Sequence, residues 1–278
     1  MLYFCGMSRQ ELIENIKNRA SFLCVGLDTD LRKLPASLPR NAEGMLEFNR
    51  AIIEATSEYC VAYKPNTAFY EALGSEGWKV LEESIRLIPK DKLVIADAKR
   101  GDIGNTSGLY ARAFFGHLQC DAITVAPYMG YDSISPFLDF PGKWTILLAL
   151  TSNDGSRDFQ MLGCPDIPLY KTLIKKAMQW GDADRLMFVV GATREEELKA
   201  VRSLAPQHFF LVPGIGAQGG NLRRVCELAM TDDIALLVNA SRSIIYASAG
   251  SDYAAAAGHA AKKLQEEMAS ILEMRGIL

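Results

Sequence analysis

The sequence predicts an α/β protein with a single (β/α)8 TIM barrel. Eight short apolar runs rich in Val, Ile, Leu and Phe are each bounded by turn or polar residues, as buried parallel strands are. Segments with helical spacing separate these runs, and strands that alternate with helices form parallel sheets. Eight such units fit within 278 residues, whereas a doubly wound sheet usually has fewer strands and an evident Gly-rich dinucleotide turn.

The predicted elements alternate along the whole chain. The predicted strands are Phe22–Asp28, Tyr59–Asn66, Leu93–Lys99, Ala122–Pro127, Trp144–Thr151, Arg185–Ala192, His208–Ile215 and Ile234–Ser241. Helical spacing is clearest in Met45–Glu58, Trp78–Ile88, Ile167–Ala177, Glu195–Leu204, Leu222–Met230 and Tyr253–Met274. No Pro-, Gly- or Ser-rich linker and no shift in composition divides them, so we expect one domain over residues 1–278.

The charge balance argues against a nucleic-acid partner. Lys and Arg number 30 against 33 Asp and Glu, which gives a formal net charge of −3. The chain has no run of five or more like charges, and affinity for nucleic acid comes mostly from Lys and Arg that face phosphates. A small local phosphate site is still compatible with this balance.

The sequence also argues against a membrane protein and favours the cytoplasm. The most apolar window, Ile146–Leu150, is far shorter than the roughly 18 to 20 residues that cross a bilayer. Met1–Met7 lacks the basic region and the long apolar stretch of a secretory signal, and translation could begin at either of these two methionines. The six cysteines are far apart and form no C-x-x-C pair, which is typical of reduced thiols and not of a zinc site.

Polar residues crowd the carboxyl ends of the predicted strands, where barrel enzymes keep their chemistry. Asp28 ends the first strand, Lys64 lies near the end of the second, and Ser152 follows the fifth. Asp97 and Lys99 on the third strand are two residues apart, so strand alternation points both to the same face. An Asp and a Lys inside a barrel lose hydration unless they are paired, and Lys64 is the natural further partner. A buried ion network that only fixes the packing is the alternative interpretation.

A phosphate site is expected after the last two strands. The loop Gly214–Gly220 is Gly-rich and can turn backbone N–H groups toward an anion, and Gln218 adds an amide donor. Arg242, just after the eighth strand, supplies a planar guanidinium suited to phosphate oxygens. A plain tight turn would explain the loop alone, but phosphate binding after strands seven and eight is the usual barrel arrangement.

The run Asp97–Ile103, which reads Asp-Ala-Lys-Arg-Gly-Asp-Ile, resembles the signature of the orotidine 5′-phosphate decarboxylase family. Four further segments resemble landmarks of that family in the same order, so the similarity spans nearly the whole chain. They are Val25–Asp28, Tyr63–Asn66, Val212–Gly220 and Asn239–Ser243. Two long segments after predicted strands, Thr29–Glu43 and Asn153–Asp166, resemble the longer bacterial branch of the family.

The resemblance implies decarboxylation of orotidine 5′-phosphate to UMP and CO₂ in pyrimidine biosynthesis, without a cofactor or a metal. Lys99 would protonate carbon 6 of the pyrimidine, and Asp97 and Asp102 would keep Lys99 charged. The family also implies a homodimer in which the second acid of the signature reaches the neighbouring subunit's site. The remaining implied contacts are Asp28 and Lys64 at the ribose, Ser152 at the pyrimidine edge, Pro213, Gln218, Gly219 and Arg242 at the phosphate end, and Ile103 and Thr106 in the partner's pocket.

Three other functions stay open at this point. A Mg²⁺-dependent sugar-phosphate decarboxylase of the same suprafamily shares the signature, but it needs an acid at the second strand, where this chain has Lys64. A Schiff-base aldolase needs a Lys of lowered pKa, which flanking carboxylates oppose. A non-catalytic nucleotide-binding sensor would keep Arg242, Gln218 and the Gly-rich loop but would not need Lys99.

Overall fold

The computed structural model describes residues 6–163, 167–192, 195–215 and 220–278. Its strands form one closed parallel barrel in chain order, which confirms the predicted fold. The strands are β1 (Leu23–Leu27), β2 (Ala62–Pro65), β3 (Leu93–Arg100), β4 (Ala122–Val125), β5 (Trp144–Leu150), β6 (Leu186–Val190), β7 (Phe210–Pro213) and β8 (Leu236–Ala240).

Helices connect the strands and precede the first of them. They are α1 (Arg9–Arg19), α2 (Ala42–Thr56), α3 (Thr67–Glu71), α4 (Gly74–Leu87), α5 (Gly104–Ala111), α6 (Tyr131–Leu138), α7 (Ser156–Phe159), α8 (Leu169–Ala177), α9 (Glu195–Leu204), α10 (Leu222–Ala229), α11 (Arg242–Ile245) and α12 (Tyr253–Met274). A 3₁₀ helix at Leu31–Lys33 and a π-helix at Arg112–His117 complete the regular structure of the described residues.

The apolar runs form strands because almost all their side chains are buried. β1, β2, β6 and β8 are buried at every position, the pattern of parallel strands that are covered on both faces. Seven strands lie inside the predicted runs, and β3 extends one residue further, to Arg100. The predicted runs therefore locate every strand, and most of them are a few residues longer than the strands that form.

Several short helices were not expected from the sequence. α3 begins at Thr67, and the side chain of the preceding residue, Asn66, accepts a hydrogen bond from the backbone N–H of Ala68. α6 follows Gly130, which has a φ of 91°, and contains Pro136. Helices of one or two turns show too little periodicity to be recognised in a sequence. Where they begin and end depends on single capping residues.

The described residues group into two compact units. The first holds residues within Met1–Ile13 and Lys99–Val238, and the second holds Glu14–Ala98 and Asn239–Leu278. In the first unit, α5 packs against α6 and α9 packs against α10; in the second, α2 packs against both α4 and α12. The expectation of one domain over residues 1–278 stays a prediction.

Within the described part of the chain, no helix combines the length and the apolar character that crossing a membrane requires.

Candidate active site

Lys64 and Asp97 form a buried ion pair. Lys64 Nζ donates to Asp97 Oδ2 over 2.6 Å, and only 6% and 10% of the two side chains are exposed. Burial alone would lower the pKa of Lys64, but the negative charges of Asp97 and Asp28 outweigh it and raise this pKa above its usual value. Lys64 is therefore a permanent cation at the carboxyl end of β2, as predicted.

Asp28, directly after β1, presents an unsatisfied carboxylate oxygen. Its Oδ1 atom is buried and has no hydrogen-bond partner among the described residues. A buried acceptor is costly unless a donor reaches it. Asp28 also lines a cavity of about 250 Å³, and its carboxylate can accept a hydrogen bond from the hydroxyl of a ligand bound there.

The same cavity offers two cations. Arg242, the first residue of α11, and Lys33, the last residue of the 3₁₀ helix, both line it. The sequence predicted Arg242 but gave no reason to single out Lys33, because its place depends on how the long segment after β1 folds. The other lining residues are Asp30, Asn66, Phe69 and Tyr246. The cavity thus combines carboxylate side chains with two cationic side chains that suit an anion.

Tyr246 holds the backbone that carries Asp28. Its hydroxyl donates to the carbonyl of Asp28 over 3.0 Å and accepts from the N–H of Asp30 over 2.7 Å. The ring is stacked on Phe48 of α2 with centroids 5.9 Å apart. Because its only proton is used on Asp28, this hydroxyl orients the loop after β1.

Lys99 has an unusual backbone conformation for a residue in a strand. Its φ is +47°, in the left-handed region, which costs a non-glycine residue roughly 1–2 kcal/mol. The left-handed turn interrupts the strict alternation of β3, so the direction of the Lys99 side chain does not follow from the two-residue spacing to Asp97. The backbone N–H of Lys99 donates to Oγ1 of Thr124 over 3.0 Å.

The residues expected to reach a partner subunit are at or near the surface. Ile103 is 57% exposed, Thr106 on α5 is exposed, and Asp102 is half-buried. The Asp102 carboxylate accepts from the N–H of Ile103 over 2.8 Å, and its carbonyl accepts from the Ser107 hydroxyl over 2.6 Å. These two hydrogen bonds fix the turn at residues 102–107, which exposes the apolar side chain of Ile103 to solvent.

Ser152 follows β5 as predicted, and a glycine makes room for it. A Cβ on Gly191, just after β6, would lie 3.0 Å from the backbone N and the Cβ of Ser152. Gln160 fixes the neighbouring Thr151, since its side chain accepts from the Thr151 N–H over 2.8 Å and donates to the Thr151 hydroxyl over 2.9 Å. The sequence singled out neither Gly191 nor Gln160, because both act only through the folded arrangement.

Pro213 ends β7, two residues before the predicted end of that strand at Ile215, and its carbonyl accepts from the N–H of Ala192 over 3.2 Å. The loop that follows starts with Gly214, which has a φ of 99°. Its base is closed by a hydrogen bond of 3.1 Å from the N–H of Gly220 to the carbonyl of Gly214. The predicted phosphate contacts Gln218 and Gly219 lie outside the described residues.

No group of three or more His, Cys, Asp or Glu side chains that could hold a metal ion occurs among the residues that the structure describes.

Comparisons with known proteins agree on one family. The family model described as "Orotidine 5'-phosphate decarboxylase / HUMPS family" matches residues 21–257. A protein of Christiangramia forsetii named orotidine 5′-phosphate decarboxylase is 55% identical over 270 residues, which cover 96% of this chain and 99% of that protein. One of the same name from Bacteroides fragilis (strain YCH46) is 51% identical over 271 residues, with coverage of 96% and 99%.

A solved structure gives the same result for the fold. The structure of Leishmania donovani OMP decarboxylase is 41% identical in sequence and superposes with a TM-score of 0.82. The match covers 95% of this chain and 98% of that one. The resemblance seen in the Asp97–Ile103 run therefore extends to the entire barrel.

Proposed function

The chain belongs to the orotidine 5′-phosphate decarboxylase / HUMPS family, and from that premise we propose that it converts orotidine 5′-phosphate to UMP and CO₂ in pyrimidine biosynthesis. The observation that carries the proposal is the buried ion pair of Lys64 and Asp97, in which Asp97 is the first acid of the run Asp97–Ile103 that also contains Lys99. Relatives at 55% and 51% identity over nearly the full length bear the name of this activity, which supports the assignment.

The reaction forms a high-energy carbanion, which charged side chains of the protein stabilise. When the bond between carbon 6 and the carboxylate breaks, CO₂ departs and the electron pair stays on carbon 6, where no π-system takes it up. Lys99 places a preorganised positive charge beside this carbon and transfers its Nζ proton to it. UMP is released, and solvent returns a proton to the neutral amine.

The acids of the signature keep Lys99 protonated. Asp97 contributes from the same chain, and Asp102 of the partner subunit contributes across the dimer interface. The exposed Ile103 and Thr106 support this arrangement, because they belong to the same surface segment and would enter the partner's pocket. Repulsion between these acids and the substrate carboxylate is a secondary contribution.

The phosphate end anchors the substrate. Arg242, Lys33 and Asp28 line the same cavity, which supports a nucleotide whose ribose hydroxyl reaches the Asp28 carboxylate while its phosphate meets the two cations. In this proposal Ser152 would contact the pyrimidine, and Pro213, Gln218 and Gly219 would contact the phosphate. Binding energy from this remote end favours closure around the reacting carbon, since one Lys alone supplies only part of a barrier reduction of roughly 8–23 kcal/mol.

The presence of Lys64 argues against assigning the chain as a Mg²⁺-dependent sugar-phosphate decarboxylase. A cation held by Asp97 fills the position at β2 where that chemistry needs an acidic ligand, and Mg²⁺ prefers carboxylate and water oxygens. The proposal therefore contains no metal and no cofactor. We also propose a cytoplasmic location, which the buried thiols of Cys24, Cys60 and Cys120, none of them in a disulfide, support.

The decisive experiment follows the ultraviolet absorbance of orotidine 5′-phosphate with EDTA-treated protein. Wild type should turn over quickly, and Lys99→Ala should lose at least about 10³-fold in kcat because the proton donor and its charge are both gone. Orotidine, which lacks the phosphate, should react far more slowly. Tight UMP binding without turnover would instead identify a nucleotide-binding sensor, and activity on sugar phosphates only after Mg²⁺ is restored would identify the metal-dependent relative.

Shared sites are tested by mixing two inactive variants. Lys99→Ala and Asp102→Asn homodimers should each be inactive, but exchange of subunits forms heterodimers in which one site has both intact residues. Roughly a quarter of all sites should then recover activity. No recovery after verified exchange would show that Asp102 acts within its own subunit.

A further inference from the structure

Lys99 adopts a backbone conformation that its own sequence does not favour. A φ of +47° is common for glycine but rare for a lysine, so the surrounding structure must hold it. A strand residue that is free to relax returns to the extended region, and its side chain then leaves from a different direction. Whatever fixes the backbone at this position also aims the ammonium group.

Two hydrogen bonds hold the chain on either side of the Lys99 Cα atom. The N–H of Lys99 donates to Oγ1 of Thr124 over 3.0 Å, and the carbonyl of the next residue, Arg100, accepts from the N–H of Ala126 over 2.8 Å. The second bond is between backbone atoms, as in an ordinary sheet. The first is not, because the acceptor is a side-chain hydroxyl on β4.

Thr124 is well suited to this task. It is 1% exposed, and its backbone is fixed by parallel pairing with Ile146 of β5. A β-branched side chain in a strand has few rotamers, so its oxygen has a well-defined position. A backbone N–H left without an acceptor here would lose its partner inside the sheet, which strongly favours the observed geometry.

We propose that Thr124 is a positioning residue for the decarboxylation, which holds Lys99 in the left-handed conformation and thereby directs its ammonium group at the reacting carbon. This inference rests on the proposed function, in which Lys99 is the proton donor. Thr124 itself has no contact with substrate in this account. Its effect should appear in the chemical step and not in nucleotide binding.

The test compares Thr124→Val with Thr124→Ser. Valine keeps the shape and removes the acceptor, so kcat should fall about tenfold to a hundredfold, as expected for a reacting group displaced by about 1 Å. KM and the affinity for UMP should stay within about twofold, because Asp28 and Arg242 are unchanged. Serine retains the hydroxyl and should restore kcat to within about threefold of wild type.

A neighbouring threonine provides the matched control. Thr145 on β5 is fully buried, and its hydroxyl has no hydrogen-bond partner among the described residues. Thr145→Val makes the same change of atoms inside the barrel and should leave kcat near that of wild type. An equal loss in both valine variants would overturn the inference, because it would reveal a general sensitivity to repacking.

The remaining outcomes are also decisive. If wild type decarboxylates the substrate and Thr124→Val retains its kcat, the positioning role is wrong while the proposed function stands. If wild type has no decarboxylase activity, the proposed function fails and this inference fails with it. Should Thr124→Val not fold, Thr124→Ala and Thr124→Ser form a second pair of small residues that differ only in the hydroxyl, and equal kcat values in that pair would equally refute the role.

Discussion

Lys64 Nζ lies 2.6 Å from Asp97 Oδ2, with both side chains almost withdrawn from solvent. Such a pair stabilises a fold only weakly, since the loss of hydration of both ions offsets most of their attraction. It can nevertheless serve catalysis by holding a charge in a fixed place. Stability and activity should therefore respond differently when the pair is altered.

Breaking the pair should cost more stability than removing it. Asp97→Ala leaves Lys64 as a buried cation without its ion-pair partner, with only the charge of Asp28 nearby, and should lower the free energy of unfolding by about 3 kcal/mol. The double variant Lys64→Met with Asp97→Leu should regain most of this loss, because it buries apolar atoms instead of charges. Both proteins should lack decarboxylase activity. Urea unfolding and the absorbance assay measure the two effects separately, and a double variant as unstable as Asp97→Ala would contradict the account.

Tyr246 should contribute to substrate affinity through the backbone of residues 28–30. Tyr246→Phe removes the hydroxyl that joins the Asp28 carbonyl to the Asp30 N–H, so KM for orotidine 5′-phosphate should rise about fivefold to tenfold, the effect of roughly one lost hydrogen bond. Tyr253→Phe is the matched control, since that ring also stacks on Phe48, at 5.3 Å. If both variants raise KM equally, the effect comes from a general disturbance of the rings packed on Phe48 and not from the hydroxyl bridge.

These contacts mark the limit of prediction from sequence. The apolar runs predicted all eight strands, and the residues near their ends included Asp28, Lys64, Asp97 and Lys99, because the local pattern of apolar residues predicts burial and position along a strand. The local pattern does not predict the left-handed φ of Lys99, since a lysine within an apolar run is expected to have an extended backbone. It follows from a hydroxyl on another strand, which only the folded arrangement brings near.

The same limit applies to the cavity beside Asp28. Lys33 lies in a long segment without clear periodicity, so the sequence did not single it out. It lines the cavity because Asp30 caps a 3₁₀ helix that ends at Lys33. Asp30 makes this cap by accepting from the Arg32 N–H over 3.0 Å. Short-range capping of this kind is compatible with many loop conformations, so the sequence alone did not select one.

Arg202 should be a major source of stability, because its guanidinium binds backbone carbonyls. It donates to the carbonyls of Ala229 over 2.7 Å and of Ala235 over 2.9 Å, and lies 3.6 Å from the centre of the Phe210 ring. Three more carbonyls, of Ala205, Pro206 and His208, accept from it. Arg202→Met should therefore cost about 3 kcal/mol or more in urea unfolding, since these acceptors lose their donor.

The control for Arg202 is an arginine that has acidic partners. Arg224 contacts Glu195 over 2.8 Å and Glu227 over 3.0 Å, and all three side chains are well exposed. Exposed ion pairs contribute little because water and salt screen them, so Arg224→Met should change the unfolding midpoint far less than Arg202→Met. A larger effect at Arg224 would show that surface charge, and not the binding of carbonyls, governs stability here.

His208 should make the protein less stable in mild acid. It is 6% exposed beside the Phe188 ring, and burial lowers its pKa, which the nearby charge of Arg202 lowers further. Above the unfolded-state pKa of about 6.5 both states are neutral and the full stability is present. As the pH falls below that value the unfolded chain takes up the proton first, so the free energy of unfolding declines until the folded state is protonated as well.

His208→Phe should flatten this decline, while His259→Gln, at an exposed position of α12, should leave it unchanged. An unaltered slope in His208→Phe would assign the acid sensitivity to other groups.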